Sequence, residues 1–305
     1  MTTIRVLGSA AGGGFPQWNC NCHNCDGVRR GTVRATPRTQ SSIALTGDGP
    51  DAILVNASPD ILQQLRQAPA LQPARARRDT AIAAVVLMDA QIDHVTGLLM
   101  LREHRAALPL YATAPVLRDL AEGFPLSRIL SHYCTLETHP LLLDGTPFTV
   151  PPFTALTLQA IPLESKPPPY SPNRAAPQRG DNIGLRIVNR ATGKRVFYAP
   201  GLARIEPHVR AELDQADVVL VDGTFWRDDE MQRLGLSQKS ALDMGHLAQS
   251  GPNGMIAALD ETRAARKVLI HINNTNPILV EDSPEREELA AHGIEVAYDG
   301  MEIAL

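Results

Sequence analysis

The sequence predicts an α/β protein in which two mixed β-sheets pack face to face between outer helices, the αββα sandwich. Two observations lead to this class. Apolar runs with β-branched residues, such as 81–88, indicate strands buried on both faces. Helical segments alternate with such strands along the chain, and no linker or internal repeat divides it. With 305 residues, of which 44% are hydrophobic, we expect a single domain spanning residues 1–305.

Short apolar runs bounded by turn residues indicate the individual strands. The expected strands are 3–8, 42–46, 52–56, 81–88, 108–112, 153–163, 182–189, 195–199, 218–221, 267–272 and 295–297. One helix is expected to begin with Ser58 as N-cap and Pro59 in its first position. The other expected helices are 95–101, 114–122, 205–216, 284–292 and one that opens at 244–247 and includes 255–259.

Composition and charge argue against two classes of partner. The net charge is −4, no run of lysine and arginine could follow a phosphate backbone, and aromatic residues make up only 4%, so we expect no nucleic acid. No apolar stretch reaches about 18 residues, so we expect no membrane span. The first residues lead into a strand without the pattern of a signal peptide, and a cytoplasmic location is expected.

The segment Asp89-Ala90-Gln91-Ile92-Asp93-His94 carries the first indication of chemistry. It follows the buried strand 81–88 and precedes the helical segment 95–101, so three potential metal ligands and an amide lie at a strand tip. A helix N-terminus disfavours a cation unless carboxylates offset its dipole, which Asp89 and Asp93 would do. The alternative is a helix cap at Asp89 followed by a solvated polar turn.

A second cluster, Cys20-Asn21-Cys22-His23-Asn24-Cys25, contains three of the four cysteines. Thiolates at this spacing can surround one tetrahedral ion, and such soft ligands select zinc. Disulfides are not expected in a reducing cytosol. We therefore predict a structural Zn(II) site at Cys20, Cys22 and Cys25. Free structural cysteines are the alternative.

Two later strands also end in polar residues. Asp222 follows the strand 218–221 in the way that Asp89 follows 81–88, so it is expected to line the same pocket. His271 lies in the strand 267–272 and precedes an Asn-rich turn. A lone strand histidine is often a satisfied core residue, so His271 by itself leaves both interpretations open.

The strand, the ligand cluster ending in Asp93-His94 and the following Gly-Leu-Leu helix resemble the metallo-β-lactamase superfamily. The usual His-x-His-x-Asp-His motif of that superfamily is changed at its leading histidines, to Asp89 and Gln91. With the cysteine cluster and the C-terminal histidine motif, nearly the whole chain resembles the pyrroloquinoline quinone (PQQ) biosynthesis protein B family. Ser165 matches the superfamily's metal-bridging histidine, and Ala199-Pro200-Gly201 stands where a bridging aspartate is usual.

The resemblance implies a metal centre with fewer ligands than a two-zinc hydrolase. Asp93, His94 and His271 remain, and two histidines with one carboxylate are the ligand set of non-haem iron(II) oxygenases. Other side chains are expected around the centre as catalytic groups that orient the ligands, accept a phenol proton or bind substrate. These residues are Asp89, Gln91, Asp222 and His246.

The fourth ligand of the cysteine site stays open. A related cyclic phosphodiesterase family of the same superfamily takes it from a histidine three residues after an active-site histidine. The matching position here is Asn274, which is a weak ligand, and His23 within the cluster is the other candidate.

The family resemblance further implies a role in making PQQ from a precursor peptide. The expected reaction is Fe(II)-dependent hydroxylation, with oxygen, of a peptide-derived tyrosine in a Glu-Tyr unit. Other proteins of the pathway are possible partners, and the oligomeric state is left open. The alternatives are a carrier for PQQ or its precursor that aids export, and a divergent metal-dependent hydrolase. The Pro-rich segment 162–181 around Tyr170 is expected to be a lid, with a disordered insertion as the alternative.

Overall fold

The computed structural model describes residues 2–305 and confirms the αββα class. Its strands are β1 (Thr3–Gly8), β2 (Ser42–Thr46), β3 (Ala52–Val55), β4 (Ile82–Val86), β5 (Leu108–Thr113), β6 (Leu136–Leu141), β7 (Leu156–Pro162), β8 (Ile183–Asn189), β9 (Arg195–Ala199), β10 (Val218–Asp222), β11 (Arg266–Ile270), β12 (Ile294–Val296) and β13 (Glu302–Ala304).

Helices and short 3-10 segments connect these strands. The helices are α1 (His23–Arg30), α2 (Ile61–Gln67), α3 (Ile92–Val95), α4 (Ala114–Asp119), α5 (Leu126–Leu130), α6 (Pro207–Gln215), α7 (Glu230–Arg233), α8 (Ala241–Met244), α9 (Met255–Asp260) and α10 (Pro284–Ala291). The 3-10 segments are Pro69–Leu71, Thr96–Leu101 and Pro277–Leu279. None of the helices described within residues 2–305 is long and apolar enough to cross a membrane.

Over residues 2–305 the strands form two sheets. One has the order β13-β1-β2-β3-β4-β5-β6, and the other has the order β12-β11-β10-β9-β8-β7. Strands β3 to β6 run parallel to one another, and so do β9 to β12. Because parallel strands end at the same edge of a sheet, the turns after β10 and β11 lie side by side.

Apolar contacts on both faces of the sheets explain the continuous hydrophobic runs. Val86 on β4 and Leu220 on β10 belong to the core between the sheets. The neighbouring Val85 faces a second apolar cluster, with Leu98 of the 3-10 segment. Leu269 on β11 faces the third, which lies under the helices of the other sheet. Each of these strands is therefore covered on both sides.

The strand predicted over 81–88 is shorter than expected. It ends at Val86, because the N–H of Met88 donates to Oδ1 of Asn56 (3.0 Å) rather than to a neighbouring strand. The chain thus leaves the sheet before the Asp89 turn begins.

Two predicted helix starts are wrong. The helix expected to follow Ser58 begins at Ile61 with Asp60 as N-cap, because Oγ of Ser58 accepts from the N–H of Asp60 in a tight turn. The helix expected to open at 244–247 begins only at Met255. Gly245 has a left-handed φ of 95° and ends α8 there, so the next residue lies in a turn.

The helices α1, α5 and α7 and the strands β6 and β13 were not predicted. Helix α1 begins within the cysteine cluster, directly after Cys22. Strand β6 is a sheet edge of mixed polarity that contains Pro140, and β13 is three residues long. Neither carries the alternating apolar pattern that marks a half-buried strand.

Candidate active site

The predicted site residues meet at a cavity of about 250 Å³ beside the ends of β4, β10 and β11. The turn 89–94 follows β4, and His271 follows β11 directly. The predicted residues that line the cavity are Asp89, Gln91, Asp93, His94, His246 and His271. Asp222, at the end of β10, is fully buried and bonded to His246.

Asp93, His94 and His271 come close enough to bind one ion. Their candidate ligand atoms all lie within 4.8 Å of one another. Oδ2 of Asp93 is 3.3 Å from Nε2 of His271 and 3.7 Å from Nε2 of His94. His94 and His271 are 177 positions apart in the sequence (271 − 94). The fold therefore brings a turn and a strand end to one point.

Nε2 of His94 is a buried polar atom without a partner. His94 is 2% exposed, and no hydrogen-bond partner for this nitrogen exists among the described residues. Leaving such an atom unpaired is costly, whereas a neutral imidazole nitrogen is a common metal ligand. The two histidines and one carboxylate thus fit a divalent transition metal.

Asp89 fixes the orientation of His94. Nδ1 of His94 lies 2.8 and 2.9 Å from the two carboxylate oxygens of Asp89. A carboxylate only accepts hydrogen bonds, so Nδ1 carries a proton and Nε2 is the nitrogen available to a metal. The backbone N–H of Gln91 also donates to Asp89 (2.8 Å), which closes the turn around the histidine.

Thr224 orients His271 as Asp89 orients His94. No role for Thr224 was predicted from the sequence. Its hydroxyl lies 2.6 Å from Oδ1 of Asp222 and 2.9 Å from Nδ1 of His271. Because the carboxylate cannot donate, Thr224 donates to Asp222 and accepts from His271. Nδ1 of His271 is therefore protonated, and Nε2 faces Asp93. The sequence offered one hint, a hydroxyl residue two positions after the strand-tip Asp222.

Asp222 also holds His246. Nδ1 of His246 donates to Oδ2 of Asp222 (2.7 Å), and the ring stacks on His271 with 5.3 Å between centroids. The N–H of Leu202 and the N–H of Thr224 also donate to Asp222, so both of its oxygens are occupied. The expectation that Asp222 lines the pocket is therefore wrong, because its hydrogen bonds hold it behind His246 and Thr224.

The ligand cluster is electrostatically coupled. Burial alone would raise the pKa of Asp93, but His94 and His271 hold it well below its usual value. Burial alone would lower the pKa of His94, but Asp89 and Asp93 raise it to about 9. Carboxylates thus favour positive charge at this point, and a bound cation would satisfy them in place of the proton.

The Pro-rich segment lies against the turn that carries Asp93 and His94. Tyr170 donates its hydroxyl to the carbonyl of Ala90 in the ligand turn. Nε2 of Gln91 lies 3.5 Å from the carbonyl oxygen of Lys166, and Nζ of Lys166 donates to the carbonyl of Asp243 (3.1 Å). The segment therefore contacts the ligand turn directly.

The three cysteines of the second cluster also lie together. Their sulfur atoms are within 4.8 Å of one another, and α1 begins directly after Cys22. Burial, with the nearby thiols of Cys25 and Cys20, raises the pKa of Cys22 to about 12. Burial would also raise the pKa of Cys20, but hydrogen bonds led by the N–H of Cys22 lower it. The raised pKa keeps Cys22 a thiol at neutral pH, and a zinc ion bound among the three sulfurs would favour the thiolate instead.

The two candidates for the fourth zinc ligand lie differently. His23 is exposed as the first residue of α1. Nδ2 of Asn274 is 3.3 Å from Sγ of Cys25 and 3.7 Å from Sγ of Cys22. The position matched to the related family's ligand is therefore next to the thiols, and it carries an amide.

Comparison with known proteins reveals the family. Residues 51–272 match the model of the beta-lactamase superfamily domain. The chain is 82% identical over 305 residues to the coenzyme PQQ synthesis protein B of Cupriavidus necator, covering 100% of both chains. It is 63% identical over 303 residues to the protein of that name from Azoarcus sp., covering 99% of both.

Solved structures give the same result. A crystal structure described as Zn(2+)-bound PqqB from Methylobacterium extorquens matches with a TM-score of 0.90 and 38% identity, over 99% of this chain and 100% of that one. A diphosphatase from the PhnP family matches at 18% identity with a TM-score of 0.68, covering 99% of this chain and 96% of that one, which shows the fold alone. The chain therefore belongs to the coenzyme PQQ synthesis protein B (PqqB) family of the beta-lactamase superfamily.

Proposed function

We propose that the protein acts in PQQ biosynthesis as an iron(II)-dependent hydroxylase of a peptide-derived tyrosine. The observation that carries this proposal is the ligand set, Asp93, His94 and His271, with an unpaired buried nitrogen on His94. Two histidines and one carboxylate leave coordination positions open for oxygen and substrate. The names of the relatives support the pathway, because they are coenzyme PQQ synthesis proteins.

Iron(II), when bound, would supply the activation of molecular oxygen. The overall reaction inserts one oxygen atom into the ring beside the phenol hydroxyl. The second atom leaves as water, with two protons and with two electrons from a reductant such as ascorbate. Asp89 and Thr224 would hold the ligand histidines in one tautomer throughout.

Groups around the cavity would handle the substrate. With Nδ1 of His246 engaged by Asp222, Nε2 is the atom that would accept the phenol proton. Burial alone would lower the pKa of His246, but Asp222 raises it, which makes this nitrogen a better base. The amide of Gln91, at the cavity wall, would bond the backbone of a Glu-Tyr unit. The Tyr170 segment would exclude water from the reacting ring.

A two-zinc hydrolase is disfavoured by the side chains available. Such enzymes hold two ions about 3.5–4 Å apart with ligands from several motifs. At the cavity this chain offers Ser165 and Gly201 near the positions where the superfamily's bridging ligands are expected. The candidate ligand atoms of Asp222, His246 and His271 also lie within 4.8 Å of one another. Each oxygen of Asp222 already accepts two hydrogen bonds, however, so a second ion would have to displace one of these donors.

The experiment is anaerobic reconstitution with iron(II), followed by ¹⁸O-labelled oxygen, ascorbate and a Glu-Tyr dipeptide. We expect a product that is heavier by one labelled oxygen atom, and no product from the His271→Ala protein. A carrier would bind the quinone without turnover. Oxygen incorporated only from water, or full activity of His271→Ala, would refute the proposal. Turnover of phosphodiesters or lactams that requires two zinc ions per site would favour the hydrolase.

A further inference from the structure

Besides the contacts of Asn274 with the thiols, a buried amide of the cysteine helix connects the two predicted metal centres. Asn24 lies between Cys22 and Cys25 in helix α1 and is 4% exposed. Its Nδ2 donates to the carbonyl of Asn274 (3.1 Å) and to the carbonyl of Asn276 (2.9 Å). The amide thus holds the turn that follows His271.

The same turn is also held from its other side. Nδ2 of Asn276 donates to the carbonyls of Gly223 (3.0 Å) and Thr224 (3.2 Å), and the N–H of Asn273 donates to the carbonyl of Thr224 (3.1 Å). Thr224 is the residue that orients His271. The turn therefore lies between the cysteine helix and the strand tip that serves the active site.

His271 needs this support because of its backbone. Its φ is 61°, in the left-handed region that a residue with a Cβ rarely adopts. Such a conformation persists only where the surrounding structure fixes it. The side chain reaches Asp93 from this conformation, so a shift of the turn 272–276 would move Nε2 away from the other ligands.

We propose that Asn24 is a positioning residue that couples the cysteine site to the active site. Zinc bound at the cysteine site would fix the first turn of α1. Asn24 would then hold the turn 272–276 in place, and this turn would hold His271 in position as a ligand. The coupling rests on the proposed function in one respect, which is that Asp93, His94 and His271 bind a metal. Thermodynamic coupling is reciprocal, so each ion raises the affinity for the other.

The test measures metal affinity rather than activity. Wild-type protein and the variants Asn24→Asp and Asn24→Ser are loaded with one equivalent of zinc and then titrated with cobalt(II). The carboxylate of Asn24→Asp would face two carbonyl oxygens, and the serine of Asn24→Ser is too short to reach them. We expect cobalt to bind about tenfold or more weakly in both, the effect typical of losing a group that orients a ligand. If the Asn24→Asp protein does not fold, the Asn24→Ser protein alone provides the measurement.

Asn21→Asp is the matched control, because Asn21 is exposed, lies within the same cysteine cluster and receives the same charge. It should bind cobalt as the wild type does. Thiolate-to-cobalt absorption reports any loss of zinc from the cysteines. The proposal is overturned if the Asn24 variants stay within about twofold of the wild type, if Asn21→Asp weakens binding equally, or if Asn24→Ser loses its zinc. If cobalt binding to the wild type does not depend on His271, the proposed function fails as well.

Discussion

Asp89 holds Nδ1 of His94 with both of its carboxylate oxygens, at 2.8 and 2.9 Å. Asp89 stands where the superfamily motif has its first histidine, so a metal ligand would be expected at this position. The structure instead places it behind His94, a predicted ligand, where its contact with Nδ1 leaves Nε2 free. The changed motif therefore lacks one potential metal ligand and has in its place a carboxylate that orients His94.

Asp89→Asn should weaken iron binding without unfolding the protein. The amide presents a donor as well as an acceptor to Nδ1, so the tautomer of His94 is no longer fixed. We expect an affinity loss of about tenfold to a hundredfold. Competition with a chelating indicator measures it, and circular dichroism checks the fold. Wild-type affinity in Asp89→Asn would contradict the orienting role.

Thr224→Val should have a similar effect through His271, and Thr224→Ser should restore binding. Valine keeps the shape but removes the acceptor for Nδ1 of His271 and a donor to Asp222. A buried carboxylate that loses a donor should also cost about 1–3 kcal/mol of stability. Iron content and denaturant unfolding of the two variants provide the measurement. Equal iron content in the valine and serine proteins would show that the hydroxyl is not needed.

His246→Ala should keep iron and lose product. The side chain is hydrogen-bonded to Asp222 and only stacks on His271, so its removal takes no ligand atom from the Asp93 cluster. Loss of a proton-accepting group typically costs about 10²–10⁴-fold in rate. Iron per chain and the mass of the dipeptide product are measured on the same sample. If iron and product fall together, His246 is a ligand.

Cys22→Ser should lower folded yield and thermal stability, because the free energy of zinc binding contributes to folding. One zinc per chain should be lost at the same time. Cys134→Ser is the control, since Cys134 is a buried cysteine of a different cluster and should leave the zinc in place. Metal analysis and thermal unfolding test both variants. A fully folded wild-type protein without zinc would show that the cysteines have another role.

Because Glu230 stays protonated in the folded protein, the free energy of unfolding should decrease as the pH rises from 4.5 to 7. It is 6% exposed, and burial raises its pKa to about 7 from 4.5. The folded state therefore keeps a proton that the unfolded state has lost in this window, so rising pH favours unfolding. The full difference corresponds to roughly 3 kcal/mol. Glu230→Gln retains hydrogen-bonding groups toward Trp226 and Thr275 and removes the titration.

Urea unfolding at pH 5 and pH 8 measures this effect. The wild type should lose more stability between the two values than Glu230→Gln does. Glu287→Gln, at an exposed position of α10, should behave as the wild type. An identical pH dependence in Glu230→Gln and the wild type would show that Glu230 is already ionised at pH 5.

Much of the candidate site could be predicted from the sequence because residues that are close together in the sequence form much of it. Asp93 and His94 are neighbours at the end of a buried strand, and the three cysteines lie within six residues. Strand ends place polar residues at the edge of a sheet, so Asp222 and His271 could be expected near the same cavity. The αββα class followed from strands that are apolar on both faces.

Only the tertiary structure decided the role of each polar group. The hydrogen bond between Thr224 and His271 joins residues 47 positions apart, and that between Asn24 and Asn274 joins residues 250 positions apart. Neither bond produces a periodic pattern in the sequence. Whether Asp89 faces the metal or supports a ligand depends on where His94 points, which packing determines. The turn that carries His246 depends on a left-handed Gly245, although the local sequence suggested a helix. Composition and periodicity determine which residues are buried and near an edge, whereas donors and acceptors find their partners only when the sheets are packed.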